Sequence, residues 1–135
     1  MLQIAARHIR VLAVDDSLAF LRTLASFLEA DPCVGVVATA SSGEEALCAV
    51  DVVHPDVVLM DLQMPGRSGL ETAAQLHDKY PGMPIIIITA HQMPGLREFC
   101  TQGGAVEMIP KNELVAELPR VLRSIRHSLH NRSEL

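Results

Sequence analysis

At 135 residues, 49% of them hydrophobic, the chain has the size of one domain with enough apolar material for a core. Its net charge is −5, with lysines and arginines spread along the chain, which argues against broad nucleic-acid binding because that needs a basic face. No apolar run approaches the roughly 20 residues of a membrane span, and the start MLQIAARHIR lacks the charged and long apolar segments of a signal peptide, so a cytoplasmic protein is expected.

Aromatic residues are few (Phe20, Phe27, Tyr80 and Phe99), so the core is expected to be aliphatic. Cys33, Cys48 and Cys100 stand apart, with no CxxC pair. They read as small hydrophobes in a reducing compartment rather than a disulfide framework or zinc site. The six histidines are scattered without metal-ligand spacing.

Residues 1–8 read as a short leader. Ile9 to Val14 is the first expected strand, ending at Asp15-Asp16-Ser17. Leu18, Leu21, Leu24, Ala25 and Leu28 then recur at helical spacing and predict an amphipathic helix to Glu29, stopped by Asp31-Pro32. Val34 to Ala40 is a second strand. Ser41 and Ser42, with Glu44 and Glu45 three residues on, form overlapping capping boxes that start a helix to Val53, closed by His54-Pro55.

Val57-Val58-Leu59-Met60 has the length and composition of a strand buried on both faces, and Asp61 sits where it ends. The breaker-rich Gln63-Met64-Pro65-Gly66 follows. A third helix is predicted from Gly69 to Tyr80, with Leu70, Ala73, Ala74 and Leu76 inward. Ile85 to Ile88 is the strongest strand and ends at Thr89-Ala90. Pro94 to Cys100 is a weaker helix, terminated by Gly103-Gly104. Val106 to Ile109 is a fifth strand, followed by Pro110-Lys111-Asn112. The last helix is predicted to begin near Pro119, because proline suits a first turn and damages an interior. Val121, Leu122, Ile125 and Leu129 form its apolar face, and Glu113 to Glu117 is expected to be an irregular turn before it.

Strand and helix thus alternate five times. Right-handed crossovers give an α/β fold: a doubly wound, five-stranded parallel sheet with helices on both faces. In such a sheet the strand ends point one way, so Asp15-Asp16, Asp61, Thr89 and Lys111 converge on one crevice, where these folds bind ligands. Singly, each has an ordinary explanation: the acids as caps, the threonine as a β-former, the lysine as a solvated cation. Jointly they do not, since independent caps need no cation and hydroxyl opposite three acids.

Three crowded carboxylates repel, and one takes up a proton unless a cation is shared among them. With oxygen ligands only, the fitting ion is small and hard, magnesium or manganese, which keeps several waters and favours a phosphate. Lys111 adds a compact positive charge and Thr89 a hydroxyl. That is equipment for phosphoryl transfer, with Asp61 as the nucleophile that becomes an aspartyl phosphate. No GxxxxGKS/T or GxGxxG motif is present to cradle a nucleotide, so the phosphoryl group is expected from another donor.

These residues resemble the response-regulator receiver domain of two-component signalling and phosphorelays. The resemblance covers roughly residues 9 to 130, leaving 131–135 as a tail. It rests on Asp15-Asp16, on MDLQMPGRSGLE around Asp61, on Thr89-Ala90, and on Gly104-Ala105 leading to Lys111, at the family's spacing. It implies the flavodoxin-like strand order 2-1-3-4-5. It also implies that Asp61 accepts a phosphoryl group from a histidine kinase or histidine phosphotransfer protein. Asp16, Asp61 and the main-chain carbonyl of Gln63 would hold magnesium, with Asp15 helping through water. Lys111 would bind the phosphoryl group, Thr89 would move to hydrogen-bond it, and small Ala90 would leave the acceptor accessible. Gln63 and His91 occupy positions that tune the phosphoryl lifetime.

The chain departs from the family twice. Met108 stands where an aromatic ring usually swings inward, so a flexible side chain would have to repack instead. Pro110 precedes Lys111 where a proline usually follows, so a cis bond after Lys111 is not expected. Two other readings compete: a receiver fold that signals by contact without phosphorylation, which only Met108 favours, and an aspartyl-phosphate phosphatase, which Gln63 disfavours because such enzymes carry a second acid there. A homodimer or target surface on the fourth helix, fifth strand and fifth helix is the expected output. Arg120, Arg123, Arg126 and Arg132 on the last helix read as a solvated face near a helix C-terminus.

Overall fold

The structure is a computed structural model. It describes residues 8–133, with the side chains of His130, Arg132 and Ser133 outside that description. The expected leader therefore lies, but for His8, outside the described residues, as do the side chain of Arg132 and the end of the tail. Strands β1 (Ile9–Val14), β2 (Val34–Ala40), β3 (Val57–Asp61), β4 (Ile85–Thr89) and β5 (Glu107–Pro110) alternate with helices α1 (Leu18–Glu29), α2 (Gly43–Val53), α3 (Gly69–Lys79), α4 (Leu96–Gln102) and α5 (Leu114–Ser133). All pairings are parallel, in the order β2-β1-β3-β4-β5, as expected.

Alternation along each strand sorts its side chains between two cores, because successive Cβ atoms point to opposite faces. Leu12, Val14, Val58, Met60, Ile85, Ile87 and Met108 pack on the side of α2, α3 and α4. Val11, Ala13, Val57, Leu59, Ile86, Ile88 and Ile109 pack on the side of α1 and α5. β3 and β4 are buried along their whole length, which explains their unbroken apolar sequence. Each fully buried isoleucine of β4 is worth roughly 1.5–3 kcal/mol in apolar burial.

The caps follow the serines. Ser17 accepts the Phe20 N–H at 3.1 Å and starts α1. Ser42 accepts the Glu45 N–H, while Glu45 reaches back to the Ser41 N–H at 2.8 Å. Ser68 and Glu71 close a reciprocal capping box on α3.

The last helix corrects the sequence reading. α5 begins at Leu114, directly after a 3₁₀ turn over Lys111–Glu113, and Pro119 lies inside it. Leu114, Leu118 and Leu122, spaced by four, are all buried against the α1-side core. Beginning the helix at Pro119 would leave Leu114 and Leu118 undocked, so their burial outweighs the roughly 3 kcal/mol cost of an interior proline. Three smaller differences follow the same logic of packing over pattern. Leu18 is 60% exposed although it shares the periodicity of α1. On α3, Ala74 is exposed and Thr72 buried. α4 starts at Leu96, because Gly95 takes a left-handed φ of 81° after Pro94.

Candidate functional site

β1 and β3 are neighbours in register, with Val14 opposite Met60, so the next residues, Asp15 and Asp61, leave the sheet side by side. Strand parity puts both on the face covered by α1 and α5. Asp15 is 1% exposed and Asp61 6%, whereas Asp16 is exposed. Carboxylate oxygens of all three lie within 4.8 Å of one another. β5 delivers the cation: Pro110 pairs with Thr89, and Lys111, one residue on, reaches back across the crevice. Its Nζ stands 2.8 Å from Asp15 Oδ2 and 3.8 Å from Asp61 Oδ1. The same Nζ lies 4.2 Å from the centre of the Phe20 ring, so α1 holds the lysine by a cation–π contact as well.

Burial above all, and then the neighbouring Asp15, push the Asp61 carboxyl up to about 6. Asp16 adds to the rise, while Lys111 and the Gln63 backbone N–H pull it back. One ammonium therefore only partly compensates three acids. Asp15 Oδ1 is satisfied by the Ser17 N–H at 2.8 Å. Asp15 Oδ2 is buried with no aligned hydrogen bond and rests on its ion pair to Lys111 alone. An under-satisfied buried oxygen within a cluster that has only oxygen donors fits a small, hard divalent cation.

Not all the expected residues join this cluster. Thr89 is 1% exposed at the end of β4, next to β3, but its hydroxyl is turned to its own loop. There it accepts from the His91 N–H and donates to the His91 carbonyl, both at 3.0 Å. Ala90, His91 and Gln63 are exposed around the mouth of the crevice. Met108 is 5% exposed and packs on the opposite face of the sheet from Asp61, among the side chains below α4. Among the described residues no peptide bond is cis.

Three residues contribute that the sequence reading passed over or gave no chemical role. Phe20 flanks the lysine, and nothing in the periodicity of α1 marks it. Gly69 lies where the loop after β3 closes on it: a Cβ there would meet the Asp61 carbonyl oxygen at 1.9 Å. The Gly69 N–H donates to the Leu62 carbonyl at 2.9 Å, so the glycine fixes the backbone that carries the acceptor. Arg97 crosses from α4 to β5, pairing with Glu107 and donating to the Met108 carbonyl at 2.9 Å. A long-range salt bridge of this kind has no local sequence signature.

The response regulator receiver domain family matches residues 11–123. The protein-glutamate methylesterase/protein-glutamine glutaminase of Halalkalibacterium halodurans is 40% identical over 106 residues, covering 77% of this chain and 30% of the relative. That of Nocardioides sp. is 34% identical over 123 residues, covering 90% and 34%. The chain thus spans about a third of the length of these curated relatives. Among solved structures, the response regulator domain of Thermotoga maritima CheB superposes with a TM-score of 0.81 at 27% identity, covering 90% of this chain and 98% of the other. The CheY of Borrelia burgdorferi, solved with CheX, BeF3 and magnesium, gives 0.80 at 25% identity, covering 87% and 88%. With the family match spanning most of its length, and the fold and strand order of these neighbours, the chain belongs to the response regulator receiver domain family.

Proposed function

We propose that residues 9–130 act as a phosphoacceptor that takes a phosphoryl group from a histidine kinase or histidine phosphotransfer protein onto Asp61. The observation that carries this reading is the convergence of three carboxylates and Lys111 on the mouth of one crevice, with Asp61 shifted up and Asp15 Oδ2 left short of partners. Asp15, Asp16, Asp61 and the Gln63 main-chain carbonyl would hold magnesium or manganese, which when bound neutralises the acids and the phosphoryl oxygens.

The ionised Asp61 oxygen attacks the phosphorus of a phosphohistidine. The new P–O bond forms as the P–N bond breaks, and the imidazole departs with the electron pair. Lys111, within 3.8 Å of Asp61 Oδ1, is placed to bind a phosphoryl oxygen. Thr89 has to release His91 before its hydroxyl can do the same, which makes the loop after β4 the first element to respond. Exposed Ala90 leaves the acceptor open, and Gln63 and His91 tune the lifetime of the phosphoryl group.

Output through α4, β5 and α5, to a second copy or a target protein, is supported by exposed Phe99, Val106 and Val115 along that edge. The protein acts in the cytoplasm; no helix among the described residues is long and apolar enough to cross a membrane. The activities named for the methylesterase relatives are not assigned to this chain. Incubation with acetyl phosphate and magnesium, followed by intact mass, tests the reading. Wild type is expected to gain one phosphoryl group and Asp61→Asn none; equal labelling of the two would sink it.

A further inference from the structure

The end of the sheet opposite the acidic crevice carries a cavity of about 400 Å³, within the size range of small-ligand sites. It opens between the C-terminal turn of α1, the start of β2 and the middle of α5. Its floor is apolar and buried: Ile9, Leu28, Val34 and Leu122 are between 1% and 9% exposed. Phe27 forms one wall, and Arg123 and Arg126 stand at the lip.

The arginines are what single it out. Arg10 donates to the His54 and Val53 carbonyls, Arg67 pairs with Glu44, Arg97 with Glu107 and Arg120 with Glu117. Arg123 and Arg126, on one face of α5 by their i,i+3 spacing, make no hydrogen bond or ion pair among the described residues; exposed Arg22 on α1 shares that state, but Arg126 is half-buried and both α5 arginines border the apolar pit. The nearest acid on the rim, Asp31, accepts the Cys33 N–H at 2.9 Å and is not ion-paired with either arginine. In a chain of net charge −5, two unpaired guanidinium groups over an apolar pit form a local inversion of sign. A planar guanidinium matches a carboxylate in bidentate geometry.

We propose that this cavity binds a small amphiphilic carboxylate, its apolar body on Ile9, Leu28 and Leu122 and its carboxylate on Arg126 and Arg123. The site is independent of Asp61: β1 separates the two by six residues, roughly 20 Å at about 3.3 Å per residue. It therefore stands or falls separately from phosphorylation.

The test is titration of the full chain with decanoate and, in parallel, decanol, followed by amide and methyl NMR. Decanoate is expected to give saturable shifts confined to Ile9, Phe27, Val34 and Leu122. Decanol, which lacks the charge, is expected to bind about tenfold more weakly, as is decanoate to Arg126→Gln, since a charge-assisted hydrogen bond is worth roughly that factor. Ala30→Phe, which fills the cavity from its rim, should abolish binding while Arg22→Gln, exposed on α1, leaves it unchanged. Equal affinity for decanoate and decanol would overturn the proposal. So would shifts scattered over the surface, unaltered binding in both Arg126→Gln and Ala30→Phe, or contacts in the ligand-free protein showing that residues 1–7 fill the cavity.

Discussion

The acidic end of β1 and β3 and the edge formed by α4, β5 and the start of α5 are built to different standards. At the acidic end the strands are covered on both faces, Asp15 and Asp61 are almost sealed, and the loop is pressed so close that Gly69 has no room for a Cβ. At the edge, β5 has four residues and α4 seven, a proline lies inside α5, and Phe99 and Val115 face solvent. The candidate chemistry thus sits where burial is deepest, and the proposed readout where the elements are short and partly open to solvent. Between them lie two small polar latches, Thr89 on His91 and Arg97 on Met108. Arg97 gives the edge a polar tie to the main chain of Met108.

Substitutions can break this contrast. The largest effect is expected for Gly69→Ala, whose methyl would collide with the Asp61 carbonyl. Backbone cannot yield as a side chain does, so urea denaturation should show a loss of about 3 kcal/mol or more.

Next comes the pH dependence of the metal-free protein. The Asp61 carboxyl is raised in the folded state to about 6, so folding favours its protonated form. Its contribution to stability is therefore complete below about pH 4 and is lost as pH rises toward 6. Relative to wild type, Asp61→Asn should be more stable at pH 8 by about 3 kcal/mol, the advantage vanishing near pH 4, because each tenfold change in proton affinity between the folded and unfolded chain is worth about 1.4 kcal/mol. Magnesium should reduce the difference at pH 8 by stabilising wild type alone. A constant difference across the range would contradict the assigned electrostatics.

At the edge the expected signs and sizes differ. Pro119→Ala should raise stability by about 2 kcal/mol, the roughly 3 kcal/mol cost of an interior proline less about 1 kcal/mol for a freer unfolded chain. Arg97→Ala should cost only about 1 kcal/mol, as one hydrogen bond and a half-exposed ion pair are lost. Its larger consequence is expected in amide exchange, which should quicken in α4 and β5 and not at β1 or β3.

The same division explains what could be read from the chain. The strands and the acid cluster were legible because buried parallel strands demand unbroken apolar runs, and because a shared cation demands a particular set of side chains at their ends. The start of α5 was not, because local proline chemistry and long-range burial of Leu114 and Leu118 point in opposite directions and burial wins. Thr72 and Ala74 exchanged places for a related reason: the inward arc of α3 is narrow, and composition alone does not fix its rotation. The orientation of the Thr89 hydroxyl, the Phe20–Lys111 contact and the Arg97 latch depend on side-chain directions across elements, which no spacing rule encodes.

If Asp61 is a phosphoryl switch read out through the loop after β4, NMR of the full chain with beryllofluoride and magnesium will follow the signal along its path. Saturable shifts are predicted around Asp61, then at Thr89 and His91 as the hydroxyl leaves its loop, and at Met108 and Arg97 beyond it, all absent in Asp61→Asn. Spectra unchanged by beryllofluoride and magnesium, or changed equally in Asp61→Asn, would contradict it.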